Sequence, residues 1–257
     1  MEKIMLFIPV YNCEKQVERV LKKVEKVENY FDEIIVVNDY SKDNTERNVK
    51  KIIRNKKKYK LLKNKKNYGL GGAHKVAFSY AIKNNFDYLV VLHGDDQANI
   101  NDIIPILQKK EYKKYDSMLG SRFMKKSVIK GYSKFRIFGN KVYNLIFSIV
   151  LKEKVHDLGS GLNIYKIESL KTKYYEKYPD NLVFNYVMVL AVNFYKQKVY
   201  YFPISWTEED QVSNVRMFNQ AIHVLKLLFS YKLNKNKFMN TDHRKNKIEE
   251  YSYKESM

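Results

Sequence analysis

The chain has 257 residues, 45% of them hydrophobic, enough length and apolar content to bury a core as one large domain or two small ones. Its one cysteine, Cys13, excludes an internal disulfide. Its longest apolar stretch, residues 142–151, is interrupted by Asn144 and Ser148 and falls short of the roughly 20 residues a membrane-spanning helix needs. The net charge of +20, from 48 Lys+Arg against 28 Asp+Glu, would suit nucleic acid, anionic lipid or an anionic substrate. Much of it lies in residues 50–66, where it reads as a lysine-rich solvated face, and no nucleic-acid-binding motif accompanies it, so nucleic acid is not an expected partner.

In chain order, residues 4–8 are an apolar run stopped by Pro9, a strand followed by a turn. No basic-then-apolar leader pattern precedes it, so a cytoplasmic protein is expected. Residues 14–28 carry Val17, Val20, Leu21, Val24 and Val27 at helical spacing. A second strand, 33–37, runs into Asn38-Asp39-Tyr40-Ser41, and Ser41 or Asp43 can cap a helix reaching Ile53. Residues 60–62 are a short third strand. The glycine-rich loop 67–74 opens a helix to about Asn84, and 88–92 is a fourth, wholly apolar strand. A helix over 100–109 and a strand over 116–120 follow. Beyond them lie a very apolar helix at 134–151, a small-residue turn at 157–161, a strand at 162–165, a helix at 181–194, a strand at 199–204 and an amphipathic helix at 217–229. No repeat or linker divides the chain. The expectation is one domain over 1–233 and a basic, disordered tail over 234–257.

Strand and helix alternate at least four times in the first 120 residues, which predicts an α/β fold, a Rossmann-like, mostly parallel sheet with helices on both faces. Each early strand ends in a polar residue: Asn12, Asp39, Asn67 and Asp95. Such ends gather along one edge of an open sheet, where ligands bind. After strand four, His93, Asp95 and Gln97 alternate, so in an extended segment their side chains share a face. An imidazole, a carboxylate and an amide oxygen suit Mn²⁺ or Mg²⁺, with Gly94 allowing close approach to the backbone. The same residues also read as a strand-to-helix turn with Asp95 or Asp96 as cap.

The ordered set Ile8-Pro9-Val10-Tyr11-Asn12, residues 36–45, residues 67–73, His93–Gln97 and residues 157–161 resembles family 2 glycosyltransferases of the GT-A fold, over residues 4–210. The branch it most resembles is the polyprenyl-phosphate sugar transferases, of the dolichol-phosphate mannose synthase type. The resemblance implies an inverting transfer from a nucleotide-diphosphate sugar, UDP before GDP, to a lipid-linked or glycan acceptor in cell-surface polysaccharide or glycolipid synthesis. It implies that Pro9, Tyr11, Asn12 and Asp39 hold base and ribose, that Asn67 to Gly71 line the nucleotide pocket, and that the acidic motif holds a metal on the diphosphate. Three positions depart from the pattern. His93 replaces the first aspartate of Asp-any-Asp-any-Gln, removing a negative charge. Tyr40 replaces a usual glycine. Glu208-Glu209-Asp210 lie within 206–214, where the lipid-phosphate branch carries a basic residue.

An acceptor hydroxyl must lose a proton, so a carboxylate base is useful, whereas a phosphate acceptor is already ionised. Asp157 is the first candidate base and Glu208, Glu209 and Asp210 the next. A turn cap beside Gly159 and a solvated loop are their plain alternatives. Arg122 and Arg136 are candidate phosphate partners, or members of surface ion pairs. The helix 134–151, with Lys134, Arg136 and Lys141 near its start, either packs into the core or an oligomer interface, or lies on the inner face of an anionic membrane together with 217–229. Rival readings are a sugar-nucleotide pyrophosphorylase, which places its glycine-rich loop directly after strand one, where this chain has 9–12, and a non-catalytic nucleotide-sugar-binding protein.

Overall fold

The computed structural model describes residues 2–210 and 217–257. The described elements, in chain order, are β1 (Ile4–Val10), α1 (Gln16–Glu25), β2 (Glu33–Asn38), α2 (Thr45–Ile53), β3 (Tyr59–Asn64), α3 (Gly69–Lys83), β4 (Tyr88–Leu92), α4 (Ile104–Gln108), β5 (Ser117–Ser121), β6 (Val128–Lys130), α5 (Lys134–Leu151), β7 (Leu162–Lys166), α6 (Phe184–Phe194), β8 (Val199–Pro203), β9 (Ser205–Thr207), α7 (Met217–Leu233), α8 (Lys235–Asn240) and β10 (Tyr253–Glu255). Eight strands form one sheet in the order β10-β3-β2-β1-β4-β7-β5-β8, and β6 and β9 pair separately.

The central strands are apolar on both faces because both are covered. Met5 and Phe7 of β1, Ile35 and Val37 of β2, and Leu89 and Val91 of β4 pack on the side of α3 and α6. The alternate residues Leu6, Ile8, Ile34, Val36 and Val90 pack on the side of α1 and α2. This is the period-2 consequence of a strand buried on both faces. β1, β2, β3 and β4 are mutually parallel. β7 lies between β4 and β5 and runs antiparallel to both. Its reversed direction puts its entry, residues 157–161, at the same sheet edge as the exits of β1, β2, β4 and β5.

Residues 234–257 correct the expectation of a disordered tail. α8 buries Phe238 and Met239, and β10 pairs antiparallel with β3, Tyr253 opposite Asn64 and Glu255 opposite Leu62. The segment is too polar to bury a core of its own. Its order comes from an open sheet edge that supplies unpaired backbone groups, a non-local partner that composition does not reveal.

Helices α5 and α7 each have two apolar faces. Asn144, Phe147 and Leu151 of α5 and Val224, Leu228 and Tyr231 of α7 are buried. On the outer side, Phe135, Phe138, Leu145 and Ile149 are 60–75% exposed, as are Phe229 at 63% and Leu233 at 70%. The two faces predict opposite responses. Tyr231→Ala, which also removes the hydroxyl's bonds to the Leu190 carbonyl and Asn193 Oδ1, should lower the urea unfolding free energy by about 3–5 kcal/mol. Phe229→Ala should change it by less than about 0.5 kcal/mol.

Candidate functional site

The loops after β1 and β2 are laced together. Asn12, at φ 48°, donates its amide to Ser41 Oγ at 3.0 Å and accepts the Lys42 amide on Oδ1 at 2.8 Å. Tyr40 adopts φ 66°, the left-handed conformation suited to the glycine it replaces, and Lys42 Nζ sits 3.8 Å from its ring centre. Tyr11 stands 50% exposed beside this junction, while Pro9 is buried within β1 and offers no side-chain surface to a ligand. Tyr11 therefore provides the aromatic surface at the exit of β1.

Asp39 is 4% exposed and organises the segment that follows β3. It accepts from Asn64 Nδ2 (2.8 Å) and the Tyr68 amide (2.8 Å) on Oδ1, and from the Gly69 amide (2.7 Å) on Oδ2. Burial raises its carboxyl above the ordinary range, and these three donors oppose the rise. Asn67 shapes the same turn, its Oδ1 accepting the Gly69 amide at 2.9 Å. The expected ligand-lining role of Gly71 is corrected: a Cβ there would lie 2.4 Å from the Pro179 carbonyl oxygen and 2.7 Å from Phe184 Cβ. Its lack of a side chain lets α3 pack against residues 179–184.

At the exit of β4, the His93 amide donates to the Gly161 carbonyl at 2.8 Å, and the Gly94 amide to the Pro9 carbonyl at 3.0 Å. Gly94 is corrected in the same way, since a Cβ would meet Val10 Cγ1 at 2.5 Å and the Pro9 oxygen at 2.9 Å. The close approach is to β1, not to a ligand. Asp96, at φ 62°, turns away from the edge to Arg19 Nε and Lys23 Nζ, both at 2.7 Å. His93 and Asp95 stay at the edge, with Nδ1 and Oδ2 4.0 Å apart. Burial, with Arg122 nearby, lowers the His93 imidazole to about 4, so it is neutral and able to ligate at neutral pH. Burial raises the Asp95 carboxyl to about 6.

His93 and Asp95 carry donor types that a divalent cation takes, a neutral imidazole and a carboxylate. At bond lengths of about 2.1 Å, two ligands of one cation lie up to about 4.2 Å apart, and such ions take one or two protein ligands plus substrate phosphates. Among the described residues there is no cluster of three or more His, Cys, Asp or Glu that could hold a metal by itself. Gln97 is turned to Glu208, its Nε2 donating to Oε1 at 3.1 Å, so its amide nitrogen is taken up.

Asp157 does not have the setting of a base. Both carboxylate oxygens are occupied: Oδ2 accepts from the Arg122 amide (2.9 Å) and Nε (2.8 Å), and Oδ1 from Arg122 Nη2 (2.8 Å) and the Gly159 amide (3.2 Å). Its side chain is 1% exposed. It holds Arg122, whose guanidinium stacks on Trp206 (4.9 Å) and Phe123 (5.0 Å). Of the acidic run, Glu208 reaches the site, with Oε2 2.7 Å from Arg136 Nη1. Asp210 pairs with Arg19 at 3.0 Å, and Glu209 is exposed. Within the stretch 206–214, residues 211–214 lie outside the described residues.

The model described as Glycosyl transferase family 2 matches residues 5–172, well over half of the chain. The chain belongs to glycosyltransferase family 2. As a glycosyltransferase it leaves no place for the pyrophosphorylase reading. An uncharacterized protein of Methanocaldococcus jannaschii is 26% identical over 235 residues, covering 88% of this chain and 99% of its own. A UDP-N-acetylglucosamine–dolichyl-phosphate N-acetylglucosaminyltransferase of Methanococcus voltae is 28% identical over 180 residues, 65% of this chain and 71% of its own. The fold is shared with S. aureus TarS residues 1–349 in complex with UDP-GlcNAc (TM-score 0.60, 20% identity, 90% of this chain and 67% of that one). It is shared too with M. tuberculosis glucosyl-3-phosphoglycerate synthase in complex with Mn²⁺, UDP and glucosyl-3-phosphoglycerate (TM-score 0.61, 12% identity, 91% and 79%).

Sequence reasoning missed the ion pair of Lys75 with Asp180, Nζ to Oδ1 at 2.6 Å, the lysine side chain 1% exposed. The signal was available: α3 is apolar nearly all round, so a lysine in its middle is buried and needs a partner. For Asp157, a structural role predicts that Asp157→Ala, which leaves Arg122 buried and unpaired, lowers the unfolding free energy by about 3–5 kcal/mol in urea. A base would show lost turnover at unchanged stability.

Proposed function

We propose that this family 2 glycosyltransferase moves a sugar, with inversion, from a nucleotide-diphosphate sugar, UDP before GDP, to a polyprenyl-phosphate-type or glycan acceptor at a membrane surface. The observation that carries the reading is the convergence, at one sheet edge, of exposed Tyr11, the Asp39-held segment, the His93–Asp95 pair and, through Gln97 and Glu208, Arg136 at the start of α5. The nucleotide base and ribose lie against Tyr11 and the loops held by Asn12 and Asp39. His93 and Asp95 would hold Mn²⁺ or Mg²⁺, which when bound would offset the charge of the departing diphosphate.

The acceptor side favours an anion. Arg136 is bridged to Glu208 at 2.7 Å and occupies the same turn of α5 as the exposed Phe135 and Phe138. A phosphate head at Arg136 would leave its lipid tail beside those rings. Such an acceptor needs no base. For a hydroxyl acceptor, Glu208, bridged to Arg136, is the carboxylate beside the site. The dolichyl-phosphate acceptor in the name of the M. voltae relative supports the lipid reading. No helix among the described residues is long and apolar enough to cross a membrane. The outer stripes of α5 and α7, flanked by exposed Lys134, Lys141, Lys226 and Lys232, support attachment at the interface, to which each basic residue adds on the order of 1 kcal/mol near anionic lipid.

Turnover tests the reaction. The full chain with Mn²⁺, UDP-GlcNAc or UDP-glucose and a short polyprenyl phosphate should release UDP. Asp95→Ala should reduce this by at least about 100-fold, the order lost when charge stabilisation at a leaving group is removed. No release from UDP- or GDP-sugars, with either lipid phosphate or glycan, would leave a non-catalytic binder. Attachment is tested by flotation: the protein should rise with anionic vesicles at low salt and release as salt increases, and Phe135→Ser/Phe138→Ser should stay at the bottom. A wild-type chain that does not float contradicts the membrane reading and favours the glycan acceptor.

A further inference from the structure

We infer that the C-terminal segment, residues 251–257, is a positioning strap for the nucleotide pocket, with Tyr251 its wedge. This rests on the nucleotide reading above. The donors that hold Asp39 all lie on residues 64–69, and the tail grips that stretch from its other side. Tyr253 pairs with Asn64. The Lys65 amide donates to the Ser252 carbonyl at 3.3 Å, and the Tyr68 hydroxyl donates to the same carbonyl at 3.0 Å. The Tyr251 ring meets the Tyr68 ring edge-on, centres 5.3 Å apart.

Tyr251 is itself fixed from below. Its hydroxyl donates to Asp180 Oδ1 at 2.6 Å and accepts from Lys75 Nζ at 3.0 Å. That lysine also donates to the Tyr178 carbonyl at 2.6 Å. The Asp180 carbonyl accepts the Gly72 amide, at 3.2 Å, in the first turn of α3. The segment 64–72 is thus held between Asp39 on the ligand side and Tyr251, Ser252 and Asp180 on the other. A ligand that needs the Tyr68–Gly69 turn in place binds more tightly when the strap is docked. By linkage, ligand binding must then strengthen docking of the strap by the same factor.

Hydrogen exchange on the full-length wild type reads this directly, with UDP or GDP plus Mg²⁺ as the probe. Nucleotide should slow exchange of the backbone amides at 64–69 and also at 253–257. Calorimetry on Tyr251→Ala should show nucleotide affinity weakened by about tenfold, within the usual range of such couplings. Tyr251→Phe, which keeps the ring against Tyr68, should recover part of the loss. Protection of 64–69 with no change at 253–257, or a folded Tyr251→Ala with wild-type affinity, would overturn the strap. If Tyr251→Ala does not fold, the wild-type exchange pattern decides alone. Absence of any nucleotide binding to the wild type would overturn the reading on which the strap rests.

Discussion

The direction of one strand governs the site. β7 runs antiparallel between β4 and β5, so its entry meets the exit of β4, and the His93 amide bonds to the Gly161 carbonyl. A parallel strand in that place would send residues 157–161 to the opposite edge. Asp157 could not then hold Arg122. This edge is thus a product of topology: four parallel exits and one antiparallel entry supply groups from five distant parts of the chain.

Two buried carboxylates then set the walls of this edge, and neither is free to do chemistry. Asp39 gathers the segment after β3 on one side, and Asp157 fixes Arg122 on the other. Each takes several donors, which offsets the cost of burying a carboxylate. The groups left with spare capacity are Tyr11, His93, Asp95 and the Glu208–Arg136 pair. Pre-ordered walls with a few exposed polar groups between them place reacting groups without reorganisation, the main protein contribution to displacements that need little covalent help.

The parallel-sheet core was legible in the sequence because its signals are local: apolar runs of strand length, each closed by polar residues, with helical spacing between them. The edge residues Asn12, Asp39 and Asp95 were legible for the same reason. What failed was non-local. The Asp157 and Arg122 side chains meet only because β5 and β7 pair. Gly71 and Gly94 invite a ligand when read alone, yet the space they leave is filled by the Pro179 and Pro9 carbonyls. The tail has the composition of a disordered segment, but β3 lends it a partner. The helix at 134–151 reads as unusually apolar and 217–229 as amphipathic, and the structure gives each both buried and exposed apolar residues.

The central claim is that a nucleotide sits at the edge formed by β1, β2 and β4. The most direct measurement is a backbone ¹H–¹⁵N spectrum of the full chain titrated with UDP in the presence of Mg²⁺. The account predicts that the amides of Tyr11, Asn12, Tyr68, Gly69 and Asp95 shift together along one saturating curve. Shifts confined to other residues, such as the lysine-rich face at 50–66, or no saturable shift with UDP or GDP, would contradict it.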